Sequence, residues 1–301
     1  MDILFLSSVY KEALWGNESW EICANKDGSS IVKNGEFENI SLQELFDKIE
    51  YRENIFGHNT KNLKIFPVLN KFINANDKLS IQVHPNDAYA EKFENSIGKE
   101  EMWYIVDAKP EAKIIYGFKK NTTITSFKES LENGTLENLM SCISVKKGDI
   151  IHIPAGTIHA ILDGITIYEI QQNSNITYRL FDWNRTDSNG NPRELHINKA
   201  LDVIDFNFVG MVKNSGENIL EKLISTSNYF KVNLININEK YKSCSDPNTF
   251  FAITIVEGTG IIKTSKSEYN ISKGNSFIIP ATLGDFSIES NNFMQIIKTF
   301  Y

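Results

Sequence analysis

Gln82 and His84 stand two apart in the run Leu79-Ser-Ile-Gln-Val-His84. On a β-strand, residues two apart point to the same face, so Ser80, Gln82 and His84 share one face and Leu79, Ile81 and Val83 the other. A glutamine beside a histidine on the inside of a β-structure needs a partner, because an unpaired buried polar group costs free energy. A divalent metal ion is one such partner, and Glu101 and His159 offer the further carboxylate and imidazole it would take. Two imidazoles, one carboxylate and one neutral amide leave a bound divalent cation still cationic, with room for water or substrate. That is a Lewis-acid arrangement suited to Zn²⁺, with Fe, Mn or Co also compatible. Glu101 has a competitor in Glu100. Glu101 shares a face with Trp103 and Glu100 with Met102, and periodicity alone does not say which face is inward.

The elements that must position these residues are mostly strands. Residues 3–6 are apolar, and Trp20, Ile22 and Ala24 alternate with Ser19, Glu21 and Cys23. Phe66 to Ile73 reads as a buried strand that carries Lys71. Met102 to Val106 and Lys113 to Gly117 are β-prone runs joined by the turn Asp107-Ala-Lys-Pro-Glu111. Residues 149–161 and 165–172 read as strands punctuated by Pro and Gly. Helices are few. Ser41 with Glu44 forms a capping box ahead of the apolar stripe Leu42, Leu45, Phe46 and Ile49. A helical insertion is expected from 126 to about 140, broken near Gly134, and a short helix over 198–204. Residues 183–198 are polar and loop-like.

The chain also echoes itself. Lys147-Gly-Asp-Ile-Ile-His-Ile-Pro154-Ala reappears as Lys273-Gly-Asn-Ser-Phe-Ile-Ile-Pro280-Ala, and Tyr104-Ile-Val-Asp-Ala108 as Thr254-Ile-Val-Glu-Gly258. Two copies of one small β-barrel account for this. In the second copy Asp285 takes the place of His159, and Glu101 falls opposite Phe251. The metal set is therefore expected in the first copy alone, with the second as a supporting domain.

At 301 residues the chain has room for two domains. A net charge of −7 argues against a nucleic-acid binder while leaving room for a local basic pocket. The cysteines, Cys23, Cys142 and Cys244, are widely spaced and form no CxxC, which points to neither a disulfide framework nor a thiolate zinc site. The first residues lack the basic stretch of a signal peptide, and no apolar run approaches the ~20 residues of a membrane span. A cytoplasmic setting is expected.

Four separated motifs complete the reading: Gln82-Val-His84-Pro, Gly98-Lys99-Glu-Glu101-Met-Trp-Tyr, Ile153-Pro-Ala-Gly-Thr-Ile-His159 and Tyr178-Arg179-Leu-Phe-Asp-Trp. In this order they closely resemble type I mannose-6-phosphate isomerase in its short bacterial form. The resemblance covers most of the chain and is densest over residues 66–183. It implies a mainly β, double-cupin fold with a few short helices: a catalytic barrel over residues 1–200 and a degenerate one over residues 201–301. It implies one Zn²⁺ per chain on Gln82, His84, Glu101 and His159, and substrate-binding roles for Lys71, Lys99 and Arg179, with Lys99 and Arg179 also catalytic. The reaction implied moves a proton between C1 and C2 through an enediol, interconverting mannose 6-phosphate and fructose 6-phosphate. The partner implied is a small phosphosugar, and the assembly a monomer or homodimer. Many relatives carry an Asp where this chain has Asn175, so no acid–base role is assigned there.

Each residue also has a plainer reading. His84 fits a core histidine bonded to a carbonyl, Lys71 a snorkelling lysine, Lys99 a surface lysine, and Arg179 a partner of Asp182 or Glu169. His152 reads as structural, and His58 and His196 as exposed. Trp15 and Trp20 fit core packing or pocket wall equally. Two other functions compete with the isomerase. An Fe(II) oxygenase would use two His and one carboxylate, and a sugar-binding cupin would need no metal. Gln82 as a fourth ligand and the Lys/Arg set favour the isomerase.

Overall fold

The β-prone runs of this chain are buried on both faces, and the sheet arrangement explains it. The structure is a computed structural model that describes residues 1–187, 189–216 and 219–301. Ser188, inside the loop expected over 183–198, lies outside the described residues. A seven-stranded sheet runs in the order Lys213–Asn214, Asp149–Ile153, Glu101–Ala108, Ile165–Gln172, Val68–Ala75, Gly16–Ile22, Val9–Ala13. It faces a five-stranded sheet ordered Met140–Ser144, Lys113–Phe118, His159–Ile161, Ile81–Val83, Tyr178–Phe181. Trp103, Ile105, Ile114, Ile151, Ile161 and Ile167 fill part of the space between them. Together the two sheets make the first barrel.

The second barrel repeats the plan. Its larger sheet contains Glu221–Thr226, Lys231–Ile237, Met294–Phe300, Phe251–Glu257 and Ser276–Ile279, extended by Leu4–Ser7 and Ile31–Val32 from the other end of the chain. Leu4 pairs with Ile278 and Leu6 with Ser276. A four-stranded sheet, Lys240–Cys244, Asp285–Glu289, Thr259–Thr264 and Glu268–Ser272, closes it. The two large sheets pack back to back. Met102, Tyr104, Tyr168 and Ile170 of the first meet Val232, Leu234, Ala252, Ile278 and Ile297 of the second in one apolar cluster. Two tyrosine hydroxyls seal this interface: Tyr104 donates to Gln295 Oε1 (2.6 Å), and Tyr168 shares a hydrogen bond with Thr254 Oγ1 (2.5 Å).

The helices differ in detail from the expectation. Ser41 caps the first helix, Leu42–Asp47, by accepting from the Glu44 N–H at 3.1 Å. The Glu44 carboxylate turns to Lys48 (3.4 Å) rather than back to the cap, so the box is half made. Lys48 is extended, and a second helix, Ile49–Phe56, starts after it. Leu42, Leu45 and Phe46 are buried as expected, whereas Ile49 is 82% exposed because the break rotates it off the stripe. The insertion forms Ile124–Glu132 and a 3₁₀ turn, Leu136–Leu139, separated at Gly134 with φ of +65°. It begins earlier than expected because Thr123 and Ser126 cap each other. The linker helix is Ile197–Val203. It packs with the insertion on the outside of the five-stranded sheet, through Phe127, Leu136 and Ala200. Among the described residues no helix is long and apolar enough to cross a membrane.

Candidate metal centre

Four strands bring the candidate ligands together. Ile81–Val83 pairs with His159–Ile161, setting Gln82 opposite His159. His84 follows directly after Val83. Glu101 opens its strand against Ile153, the residue before the Pro-Ala-Gly turn that leads to His159. The result is a fully buried group, His84, Glu101 and His159, whose candidate ligand atoms lie within 4.8 Å of one another. His84 Nε2 stands 3.5 Å from Glu101 Oε2, and His159 Nε2 stands 3.4 Å from Glu101 Oε1. Gln82 reaches the same group, with its amide nitrogen 3.3 Å from His159 Nε2. Ser80, on the same face, donates to Gln82 Oε1 at 3.1 Å.

Both rings are held in one tautomer. Nδ1–H of His84 donates to the Ile176 carbonyl (2.8 Å) and Nδ1–H of His159 to the Thr157 carbonyl (2.9 Å), so each Nε2 presents a lone pair. Burial holds the His84 pKa well below the usual imidazole range, and the charges of Lys99 and His159 push the same way. Burial also lowers His159, although Glu101 opposes it. For Glu101, burial alone would raise the pKa, but Lys99 and His159 outweigh it and the group stays ionised. Two neutral imidazole lone pairs and one buried carboxylate, converging with an amide, are a donor set that fits a divalent cation. Glu101 rather than Glu100 points inward, and Glu100 lies 3.2 Å from His152 on the other face.

The basic residues surround this group. The Lys99 ammonium lies 2.6 Å from Glu101 Oε2 and 3.1 Å from His84 Nε2. Lys71, on the Val68–Ala75 strand, lies between Glu169 (3.1 Å) and Glu18 (3.4 Å). Burial would lower its pKa, but the carboxylates of Glu169, Glu18 and Glu101 win and raise it. Trp103 Nε1–H bridges Glu101 Oε1 (3.1 Å) and Glu169 Oε2 (2.9 Å), fixing both carboxylates. Arg179 sits across from Gln82 on the Tyr178–Phe181 strand.

Lys71, Lys99, Arg179, Gln82 and His159 line one cavity of about 130 Å³, while His84 and Glu101 stand behind its wall. Trp15, Glu18, Glu169, Thr177 and Arg193 line it too. Of these, Glu18 had a sequence signal, a charge two residues from Trp20 on the same strand face, whose indole it accepts from at 2.6 Å. Arg193 had none, because it sits in an aperiodic loop. Several plainer readings are corrected. Arg179 bonds neither Asp182 nor Glu169 but donates to the Glu194 carbonyl (2.9 Å). His196 is partly covered beside Tyr178, at the start of the linker helix, whereas His58 is exposed. Trp15 is pocket wall. Trp20 is not, and packs with Cys23 and Leu69. Asn175 lies outside the cavity and donates to Asp27 Oδ2 at 2.6 Å.

A β-barrel with buried imidazole, carboxylate and amide donors beside a basic cavity defines a metal-binding cupin enzyme. Residues 5–129 match the family described as "Phosphomannose isomerase type I, catalytic domain", and residues 220–300 match "Mannose-6-phosphate isomerase, cupin domain". The chain is 35% identical to mannose-6-phosphate isomerase ManA of Bacillus subtilis, over 95% of each chain. It is 33% identical to the mannose-6-phosphate isomerase of Streptococcus mutans, over 98% of this chain and 97% of that one. Among solved structures, the mannose 6-phosphate isomerase from Bacillus subtilis superposes with a TM-score of 0.91 at 33% identity, covering 99% of both chains. A putative mannosephosphate isomerase from Archaeoglobus fulgidus shares the fold at 22% identity, with a TM-score of 0.81. The chain belongs to the type I phosphomannose isomerase family. This favours the isomerase over the oxygenase and the sugar-binding module.

Proposed function

We propose that this enzyme interconverts mannose 6-phosphate and fructose 6-phosphate at a single divalent metal, Zn²⁺, held by Gln82, His84, Glu101 and His159. The observation that carries the reading is the buried His84–Glu101–His159 group, whose His159 lines the same cavity as Lys71, Lys99 and Arg179. When bound, the metal supplies Lewis-acid stabilisation of the negative charge that grows on the substrate oxygens as the proton leaves.

The rest is done by the chain. Isomerisation moves one proton between C1 and C2 through an enediol, and a group that carries it must lie within hydrogen-bond reach. Lys99, inside the cavity, takes part in this transfer. Glu101 sets its position through the 2.6 Å contact. Lys71 and Arg179 add positive charge for the substrate's oxygens and phosphate. Trp103 donates to both Glu169 and Glu101 and so fixes the two carboxylates relative to each other. A single chain supplies every proposed ligand, which suits a monomer or a homodimer. Three unpaired cysteines suit a cytoplasmic location.

The test is an anaerobic assay of fructose 6-phosphate conversion before and after chelation. Activity is expected to vanish on chelation and return with Zn²⁺. Turnover that persists in metal-free enzyme would rule the mechanism out.

A further inference from the structure

The two walls of the cavity are unbalanced in opposite senses. The seven-stranded sheet contributes Glu18, Glu101 and Glu169 against Lys71, with Lys99 just ahead of the Glu101 strand. On the opposite wall Arg179 and Arg193 line the cavity, and behind it Arg193 and Arg185 meet at one nearly buried carboxylate, Asp182. Arg193 forks onto Asp182 through Nε (2.7 Å to Oδ2) and Nη2 (2.5 Å to Oδ1). Arg185 adds Nη2 at 2.6 Å to Oδ1 and also reaches Asp77 at 3.5 Å. Asp182 therefore accepts from two guanidiniums at once and ties the loop that carries Arg193 to the strand that carries Arg179.

Arg179 is the unmatched charge. Among the described residues it has no carboxylate within salt-bridge distance, and its Nε is buried without a hydrogen-bond partner. Burial and the neighbouring Arg193 both push its pKa down, as expected where two cations are held close together. Arg193 lines the same cavity and keeps Nη1 outside its fork with Asp182. Of two guanidiniums held close on one wall, Arg193 shares Asp182 with Arg185 and Arg179 has no carboxylate of its own, a deficit that a phosphate group would fill.

We propose that Asp182 is a positioning residue: it aims Arg193 at the cavity so that Arg193 and Arg179 together take the doubly charged phosphate end of the substrate. This rests on the phosphosugar reading above and assigns which wall selects a phosphorylated sugar over a neutral one. Asp182 itself touches no substrate. Its carboxylate fixes the rotamer of Arg193, and a carboxamide there would present an N–H group to a guanidinium that needs acceptors.

The test uses full-length, metal-loaded enzyme with fructose 6-phosphate as substrate and inorganic phosphate as competing ligand. Asp182→Asn and Arg193→Gln are each expected to raise KM, and to weaken phosphate inhibition, about tenfold, the loss of one charge-assisted hydrogen bond. kcat should stay within about threefold, because the reacting carbons lie elsewhere. The double variant should be no worse than Arg193→Gln alone, since Asp182 acts through Arg193. Unchanged phosphate inhibition, additive losses in the double variant, or kcat falling in step with KM would overturn the assignment. Should Asp182→Asn fail to fold, Asp182→Glu, which keeps the charge but shifts the acceptors, is read beside Arg193→Gln, whose side chain is 29% exposed, and unchanged phosphate inhibition in both would overturn the assignment. If the wild type shows no isomerase activity, the functional reading fails. Calorimetric binding of phosphate to wild type and Arg193→Gln then still reads the subsite, and equal affinities would reject it.

Discussion

In the first barrel Glu101 opens its strand opposite Ile153, and in the second Phe251 opens the corresponding strand opposite Ile279. His159 faces Gln82 across a strand pair, and Asp285 faces Cys244 across the equivalent one. Glu169 stands beside Trp103, and Lys298 beside Ile253. At these three places the frames match, and the contents do not. Where the first barrel holds a cavity lined with charge, the second is filled by Phe251, Ile253, Ile262, Phe286 and Ile288. Its remaining polar cluster is paired within itself apart from the buried Asn233 Oδ1: Lys298 pairs with Glu221, which also accepts from Asn233 (2.6 Å) and Tyr241 (3.0 Å). The Lys298 ammonium lies 4.8 Å from the centre of the Phe251 ring. The barrel therefore closes perfectly well around aliphatic and aromatic side chains. Burying two carboxylates, Glu101 and Glu169, with two lysines and two imidazoles around one cavity of the first copy is a cost to folding that a bound ligand offsets.

The contrast breaks most severely at Glu101. Glu101→Gln keeps the volume but removes the charge that draws a divalent cation. It should lower kcat/KM by about a thousandfold or more and abolish metal binding, with far-ultraviolet circular dichroism unchanged. Metal analysis alongside kinetics checks this, and a metal-replete, active Glu101→Gln enzyme would erase the distinction between the barrels. The opposite substitution sits at the matching place in the second copy. Phe251→Ala opens a cavity in an apolar core and should cost about 3 kcal/mol in urea unfolding. Its metal content and its activity per folded molecule should equal wild type. Lost metal in this variant would mean that the second barrel does more than support the first.

The same comparison explains what the sequence made legible. Gln82 and His84 stood out because strand alternation placed two polar residues of ligating type on one face, and His159 because it follows the Pro-Ala-Gly turn. Alternation failed between Glu100 and Glu101 because the Glu101–Val106 run is buried throughout. Glu101 and Trp103 face the barrel, while Met102 and Tyr104 face the second barrel, so neither face is solvent and no polar period survives. The strand Leu4–Ser7 was readable as a strand, but its pairing with Ser276–Ile279 was not, because nothing local records a partner at the far end of the chain. The helix expected to run through Ile49 broke because Lys48 leaves the helical region, a choice that propensity and apolar spacing do not encode. Arg193 lies in a loop with no period at all and only its contacts reveal it, while Asp182 was legible as a candidate partner for Arg179 but pairs with Arg193 and Arg185 instead.

The weakest expected effect concerns what joins the barrels. Lys147, ahead of the Asp149–Ile153 strand, reaches Glu257 of the second barrel at 2.6 Å, and this pair has the look of a clamp between the two copies. Its side chains are 54% and 40% exposed, so water screens the attraction and ordering two long side chains offsets much of it. The buried contact behind it is of another kind, a continuous apolar cluster in which Tyr104 and Tyr168 also satisfy their hydroxyls. Area removed from water, not the visible ion pair, holds the two sheets together. Lys147→Ala should therefore lower the unfolding free energy measured in urea by less than about 0.5 kcal/mol, and added salt should remove even that difference. A loss several times larger, or unfolding in two separate transitions, would show that the surface pair rather than the packed faces couples the barrels.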